Sequence, residues 1–369
     1  MSGAAQASGM TALARMAEPT ASPWPRPAVA LALLAGLLVL VAILSLGTGA
    51  VAIPPGRVLQ VLWAGRAGAA LDPGLAREAA IVLDIRMPRT LVGLSVGALL
   101  AVSGALLQGL FRNPLADPTL VGVSSGSTLA AAAVIVLGHR FATLSGPLPF
   151  EFLPIAALLG ALGATTLLYA IATRRGRTSI ATMLLAGVAL AALSMAGTGF
   201  LAFLSDDRQL RDLSFWTLGA VAGATWTKLA AILPMVVLAL GAAPFLARAL
   251  NALVLGEAEA FHLGIPVQRV KRLAILTIAL AVGASVATAG PIGFVGLVIP
   301  HVVRLAIGPD HRVLLPASAL LGAALLVAAD LVARVIVAPA ELPIGIVTAL
   351  IGAPYFLWLL LRQSTVLGP

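Results

Sequence analysis

Cysteine is absent from the 369 residues, which excludes disulfides, thiolate metal sites and a cysteine nucleophile. Charge is nearly as scarce, with 10% of the chain Asp, Glu, Lys or Arg against about 25% in a soluble domain. Hydrophobic residues make up 60%, and the mean hydropathy is +1.06. Too little charge is present to cover the surface of a water-soluble enzyme, and that class is excluded. The four histidines, His139, His262, His301 and His311, are scattered with no metal-ligand spacing. No glycine-rich loop ends in Lys and Ser/Thr, so the chain has no phosphate cradle of its own for ATP. Gly122-Val123-Ser124-Ser125-Gly126 has the outline of a serine elbow, but it begins an apolar run and has no acid–histidine partners.

What the chain does contain is long charge-free runs, over 27–56, 90–111, 118–139, 152–173, 178–205, 229–247, 273–303, 313–329 and 342–361. A 22-residue helix is about 33 Å long and crosses a hydrocarbon core of roughly 30 Å. The run 273–303 would extend about 46 Å, too long for one upright span. Gly290-Pro291 lies near its middle, where proline removes a backbone donor, so it reads as two elements. The expected fold is therefore all-α, a polytopic membrane protein with about ten transmembrane helices. A barrel is disfavoured, because barrel strands alternate apolar and polar residues.

An even number of spans puts both termini on one side. With the N-terminus inside, Arg174-Arg175-Gly176-Arg177 and Arg269-Val270-Lys271-Arg272 fall inside, as do Arg248, Arg304, Arg312 and Arg362, in agreement with the positive-inside rule. On this reading the net charge of +9 reflects loops on an anionic membrane and not nucleic-acid binding. The loop 51–89 resists, since it would carry Arg57, Arg66, Arg77, Arg86 and Arg89 outside with only Asp72, Glu78 and Asp84 in partial compensation. Residues 1–27 read as a disordered cytoplasmic lead without a cleavable signal, 28–362 as the transmembrane domain and 363–369 as a short cytoplasmic tail.

Two loops carry structure of their own. Residues 205–227 are too short and polar to span and suit a surface-lying half-helix with Trp216 and Trp226 at the interface. Residues 249–272 combine Leu253, Leu255, Phe261 and Leu263 with Glu257 and Glu259, then Gly264-Ile265-Pro266. This short amphipathic helix rests on lipid or docks into a partner; its glutamates favour the partner, since lipid-resting helices carry Lys and Arg. Gly93, Gly97, Ala101 and Gly104 space small residues as close helix packing requires. Asp330 is the one acidic residue clearly within a span, and it reads either as a proton site or as an ion pair with Arg334 four residues on, the pair being favoured.

Specific motifs then decide. Arg86-Met87-Pro88-Arg89-Thr90, the run Gly97-Ala98-Leu99-Leu100-Ala101-Val102-Ser103-Gly104-Ala105-Leu106-Leu107-Gln108, and Arg112-Asn113-Pro114-Leu115-Ala116-Asp117-Pro118 closely resemble the FecCD-type permeases of type II ABC importers. Gly290-Pro291-Ile292-Gly293-Phe294-Val295-Gly296-Leu297-Val298-Ile299-Pro300-His301, Asp310-His311-Arg312-Val313-Leu314-Leu315-Pro316 and Glu341-Leu342-Pro343-Ile344-Gly345 match further blocks in the expected order, over about 28–362. These permeases import iron-siderophores, heme or cobalamin.

The resemblance implies a homodimer in the bacterial inner membrane, with two ATP-binding cassette subunits below and a periplasmic substrate-binding protein above. ATP is used by the partner ATPase, and no cofactor is expected on this chain. Arg86, Arg89 and Arg334 match positions that dock the binding protein through its glutamates. Glu257, Ala260, Leu263 and Gly264, within coupling helices at 249–268, match the contact with the ATPase. Ser179, Thr182, Gly187 and Ser194 are candidates for the translocation path. The stretch from Asp207-Arg208-Gln209-Leu210 through Arg211-Asp212-Leu213-Ser214-Phe215-Trp216-Thr217-Leu218-Gly219 looks most like heme importers, so heme is the expected cargo and a ferric siderophore or cobalamin the alternative. His301 reads as structural and not as an iron ligand. The rival outside this class is a proton-coupled carrier using Asp330.

Overall fold

Continuous apolar runs have no polar face to spare, and they fold here as helices. A computed structural model describes residues 27–67, 73–118, 122–145, 149–174, 177–338 and 340–364. The expected lead, apart from its last residue, and residues 365–369 of the expected tail lie outside the described residues. The order begins α1 (Pro27–Gly47), α2 (Pro55–Ala67), α3 (Pro73–Ala79), a π-helical segment (Ala80–Arg86), α4 (Met87–Phe111), α5 (Val123–Ser145) and α6 (Pro149–Ala172). A two-stranded antiparallel hairpin follows, β1 (Thr173–Arg174) with β2 (Arg177–Thr178), then α7 (Ile180–Phe203) and α8 (Asp207–Thr217). The chain continues through α9 (Trp226–Leu253), α10 (Glu257–His262), α11 (Val267–Ala289), α12 (Val295–Ile307), α13 (His311–Val335) and α14 (Ile344–Ser364).

Among the described residues, seven helices are long and apolar enough to cross a membrane, and three shorter apolar ones lie at Val123–Gly138, Val295–Ile307 and Ile344–Leu359. Together these are the ten expected elements. The run 273–303 breaks at Gly290-Pro291, α11 ending at Ala289 and α12 starting at Val295. Gly290 has φ 70° and a Cβ there would overlap the Trp216 carbonyl, so glycine is required at the break. Thirteen residues make α12 about 20 Å long, too short to cross alone.

The loop expected over 51–89 is a correction. It folds as α2, α3 and the π-helical segment, and from Gly74 the helix runs unbroken into α4 for 38 residues to Phe111. Likewise, Arg269-Val270-Lys271-Arg272 is not a loop but the first turns of α11.

Burial identifies the centre. The apolar window of the Gly74–Phe111 helix is 83% buried and that of α11 72%, whereas α1 and α7 are 17% buried. Close approach at α4 depends on the spaced small residues. A Cβ on Gly97 would overlap the backbone of Gly322 in α13, and one on Gly104 would overlap Gly296 in α12. Polar caps start the helices that leave the bundle's ends. Asp206 and Gln209 form a reciprocal capping box on α8, Thr225 caps α9 and Asp310 caps α13.

Candidate functional site

Three arginines converge where α1 ends, α4 begins and α13 ends. All are buried, Arg86 at 6%, Arg89 at 8% and Arg334 at 8% exposure. A buried guanidinium needs charge-assisted partners. Arg89 meets Asp330 bidentately, Nη2 to Oδ1 at 2.8 Å and Nε to Oδ2 at 3.1 Å, and its Nη1 reaches Glu341 Oε1 at 2.8 Å. Arg334 pairs with Asp330 Oδ2 at 3.0 Å one helical turn away, and donates to Ser45 Oγ at 2.6 Å and to the Ser45 carbonyl at 3.2 Å. Arg86 donates to the carbonyls of Leu46, at 2.8 Å, and of Val51. The Ser45 and Leu46 carbonyls belong to the last turn of α1, where helix geometry leaves acceptors free and the dipole favours cations.

The structure thus brings Arg86, Arg89 and Arg334 together, each bonded to the chain's own acceptors. The expected Asp330–Arg334 pair is present, as one edge of a larger network. Sequence reasoning missed Glu341, which holds Arg89 while its own side chain is 43% exposed. Its only signal was its place in a matching motif.

The opposite end of the bundle carries α10. Asn251, at the end of α9, donates to Asp310 Oδ1 at 2.6 Å, ahead of α13, and α13's 25 residues separate that end from Arg334 by about 36 Å. The backbone N–H of Arg312 and the Asn251 amide hold the Asp310 carboxyl below the ordinary carboxylate range. Within α10, Glu257 pairs with Lys271 Nζ at 2.7 Å. Leu263 is 62% exposed, and so are Phe261 (69%), Leu255 (66%) and Val254 (59%). Gly264 has φ 80° with open space around it, as a sharp turn requires. Ala260 departs from expectation. It is fully buried in the main core cluster, so it packs α10 against the bundle.

The four path candidates divide. Ser179 caps α7, accepting from the Thr182 N–H at 3.3 Å and from Thr182 Oγ1 at 3.1 Å. Gly187 is buried beside Gly122 at the start of α5. Only Ser194 lines the neighbouring recess of about 740 Å³, with Ser124, Ser125, Thr128, Thr198 and Thr217. Those walls are hydroxyl and apolar. Both ring nitrogens of His301 are buried without a hydrogen-bond partner, and its ring stands edge-on to Tyr355 at 6.3 Å. Among the described residues no group of three His, Asp or Glu side chains is placed to hold a metal ion.

The pattern of the FecCD transport family matches residues 37–362, nearly the whole described chain. The chain belongs to the FecCD transport family. A hemin transport system permease protein of Yersinia pestis is 45% identical over 295 residues, covering 77% of this chain and 84% of that protein. A cobalamin import system permease protein of Halobacterium salinarum is 47% identical over 293 residues, 79% of this chain and 76% of that one. Among solved structures, a metal-chelate type ABC transporter in an inward-facing conformation superposes with a TM-score of 0.79 at 34% identity, covering 91% of this chain and all of that chain. The FecCD chain is accordingly a multi-pass permease of the ABC importer class.

Proposed function

We propose that this FecCD permease is the membrane half of an ATP-driven heme importer of the bacterial inner membrane, with both termini cytoplasmic. It works as a homodimer with two ATPase subunits on the α10 face and a periplasmic binding protein on the face of the arginine network. The carrying observation is α10 with its flanking turns, where Val254, Leu255, Phe261 and Leu263 stand exposed beside the Gly264 turn. Four large apolar side chains exposed between Val254 and Leu263 match a partner's cleft better than water. The chain supplies no phosphate cradle of its own, and ATP hydrolysis belongs to the partner.

Heme as cargo is supported by the likeness to the hemin permease and by the neutral hydroxyl and apolar recess between α5 and α7, which suits a flat, largely apolar porphyrin. Cobalamin is the second reading, favoured by the relative at 47% identity. Within the proposal, carboxylates of the binding protein meet the group of Arg86, Arg89 and Arg334. The exposed Glu341 marks where such a carboxylate would reach Arg89. Proteoliposomes holding the permease, its ATPase and its binding protein test the assignment with heme, a ferric siderophore and cobalamin offered separately. Heme uptake that needs both ATP and the binding protein is expected. Uptake driven by a pH step without ATP would instead favour the carrier reading through Asp330.

A further inference from the structure

Lys271 is one of two lysines in the chain and is only 2% exposed. A buried ammonium is costly unless it is paired and hydrogen-bonded, and the partners of Lys271 come from two separate elements. Its Nζ meets Glu257 Oε1 of α10 at 2.7 Å and donates to the Thr178 carbonyl of β2 at 2.9 Å. One turn earlier on α11, Gln268 accepts from the Thr178 N–H at 3.1 Å. The start of α11 therefore grips Thr178 by its N–H and its carbonyl. The next residue, Ser179, is the cap of α7 and donates its own N–H to the Ala172 carbonyl at the end of α6. At its other end α7 carries Ser194 and Thr198 on the recess wall.

We propose that Lys271 is a transmission residue, joining α10 to the hairpin from which α7 starts. The inference rests on the reading of α10 as the ATPase docking element and adds the route by which its movement reaches the recess. A pull on α10 through Glu257 is carried by the Lys271 ammonium to the Thr178 peptide, and so to the capped first turn of α7. An apolar contact would slide under such a load, whereas a short ion pair that also holds a backbone carbonyl keeps its register.

Lys271→Met keeps the length and volume of the side chain and removes the charge. Glu257, already 42% exposed, then turns to water. The complete complex with its ATPase and binding protein is assayed in proteoliposomes for ATP hydrolysis and for uptake of heme, a ferric siderophore and cobalamin. Hydrolysis within about twofold of wild type is expected, with uptake per ATP lowered about tenfold, a coupling loss of ordinary size. Lys271→Arg should restore most of it. Gln268→Leu should lower the same ratio about threefold, the worth of one hydrogen bond.

A merely structural lysine predicts hydrolysis and uptake falling in parallel with the amount of folded complex, and that result would overturn the inference. So would an unchanged ratio in folded Lys271→Met. Where that variant does not accumulate in membranes, an unchanged ratio in Gln268→Leu overturns it instead. A wild-type chain that binds no ATPase would refute the proposed function itself. A coupled wild type with unaltered variants refutes the transmission role alone.

Discussion

Replacing Asp330 by alanine is the sharpest perturbation of the buried network. Three guanidinium groups share this corner with two carboxylates, Asp330 and Glu341. Asp330 is 3% exposed and receives both Arg89 and Arg334. Removing it leaves Arg89 with Glu341 alone and Arg334 with only neutral oxygens. Breaking a buried pair by deleting one partner costs roughly 3–5 kcal/mol, because the surviving charge stays desolvated. Glu341→Gln deletes a carboxylate whose side chain is 43% exposed, and a solvent-screened pair is worth about 0.2–1 kcal/mol. The expected order of destabilisation is therefore Asp330→Ala well above Glu341→Gln. Adding Arg334→Met to Asp330→Ala should recover part of the loss, because it removes the cation left without a carboxylate. Thermal unfolding of the detergent-solubilised permease, followed by loss of the monodisperse species, reads all three. Equal midpoints for the two single variants would refute the network account, and loss of uptake with undiminished stability in Asp330→Ala would point back to a proton site.

Glu341→Gln should also strengthen capture of the binding protein by up to about fivefold at low salt, since it removes Arg89's internal competitor; weaker capture would remove Arg89 from the docking surface. Phe261→Asp with Leu263→Asp should abolish co-purification of the ATPase while leaving the stability within about 0.5 kcal/mol of wild type, as surface changes do. Gly97→Leu, driven against the Gly322 backbone, should cost about 3 kcal/mol or more, whereas Gly36→Leu, with nothing within 4 Å of its Cβ, should leave folding intact in the same unfolding assay. The Asp310 cap has its carboxyl pKa lowered from the usual 3.8, so its contribution is full above that value and disappears as pH falls through the folded one. Asp310→Ala should accordingly cost about 1 kcal/mol at neutral pH and progressively less in acid.

The spans were legible because lipid demands unbroken apolar length, a signal carried by every residue of a run. Gly290-Pro291 was legible because neither residue continues a helix. The partnership of Arg89 with Asp330, 241 positions apart, was not, because it depends on α4 and α13 lying side by side. The arginines that looked surplus over 51–89 belong partly to that packing, and partly to the surface, where Arg57 reaches Glu78 at 3.5 Å. Six-residue α10 is shorter than two turns, too short for a period to tell inward Ala260 from outward Leu263. The capping role of Ser179 was not legible, because hydroxyls line polar channels and cap helices alike, and only the Thr182 N–H it faces reveals the cap. Lys271 was hidden among its basic neighbours, where charge density suggested a solvated loop.

The π-helical segment Ala80–Arg86 has a consequence for how this chain tolerates length change. A π turn carries one more residue than an α turn, and the backbone acceptors it misaligns need partners elsewhere. The Leu83 carbonyl has one in the Trp226 indole, at 3.0 Å. Removing a single residue from Ala80–Arg86 would let the turn relax to an α-helix, leaving α3 and α4 in phase about their common axis. The segment is therefore a length buffer, at which one 38-residue helix loses a residue without turning either end. An equal deletion inside α4 would turn Gly97 and Gly104 away from the carbonyls they admit, and there the same one-residue change would separate the bundle.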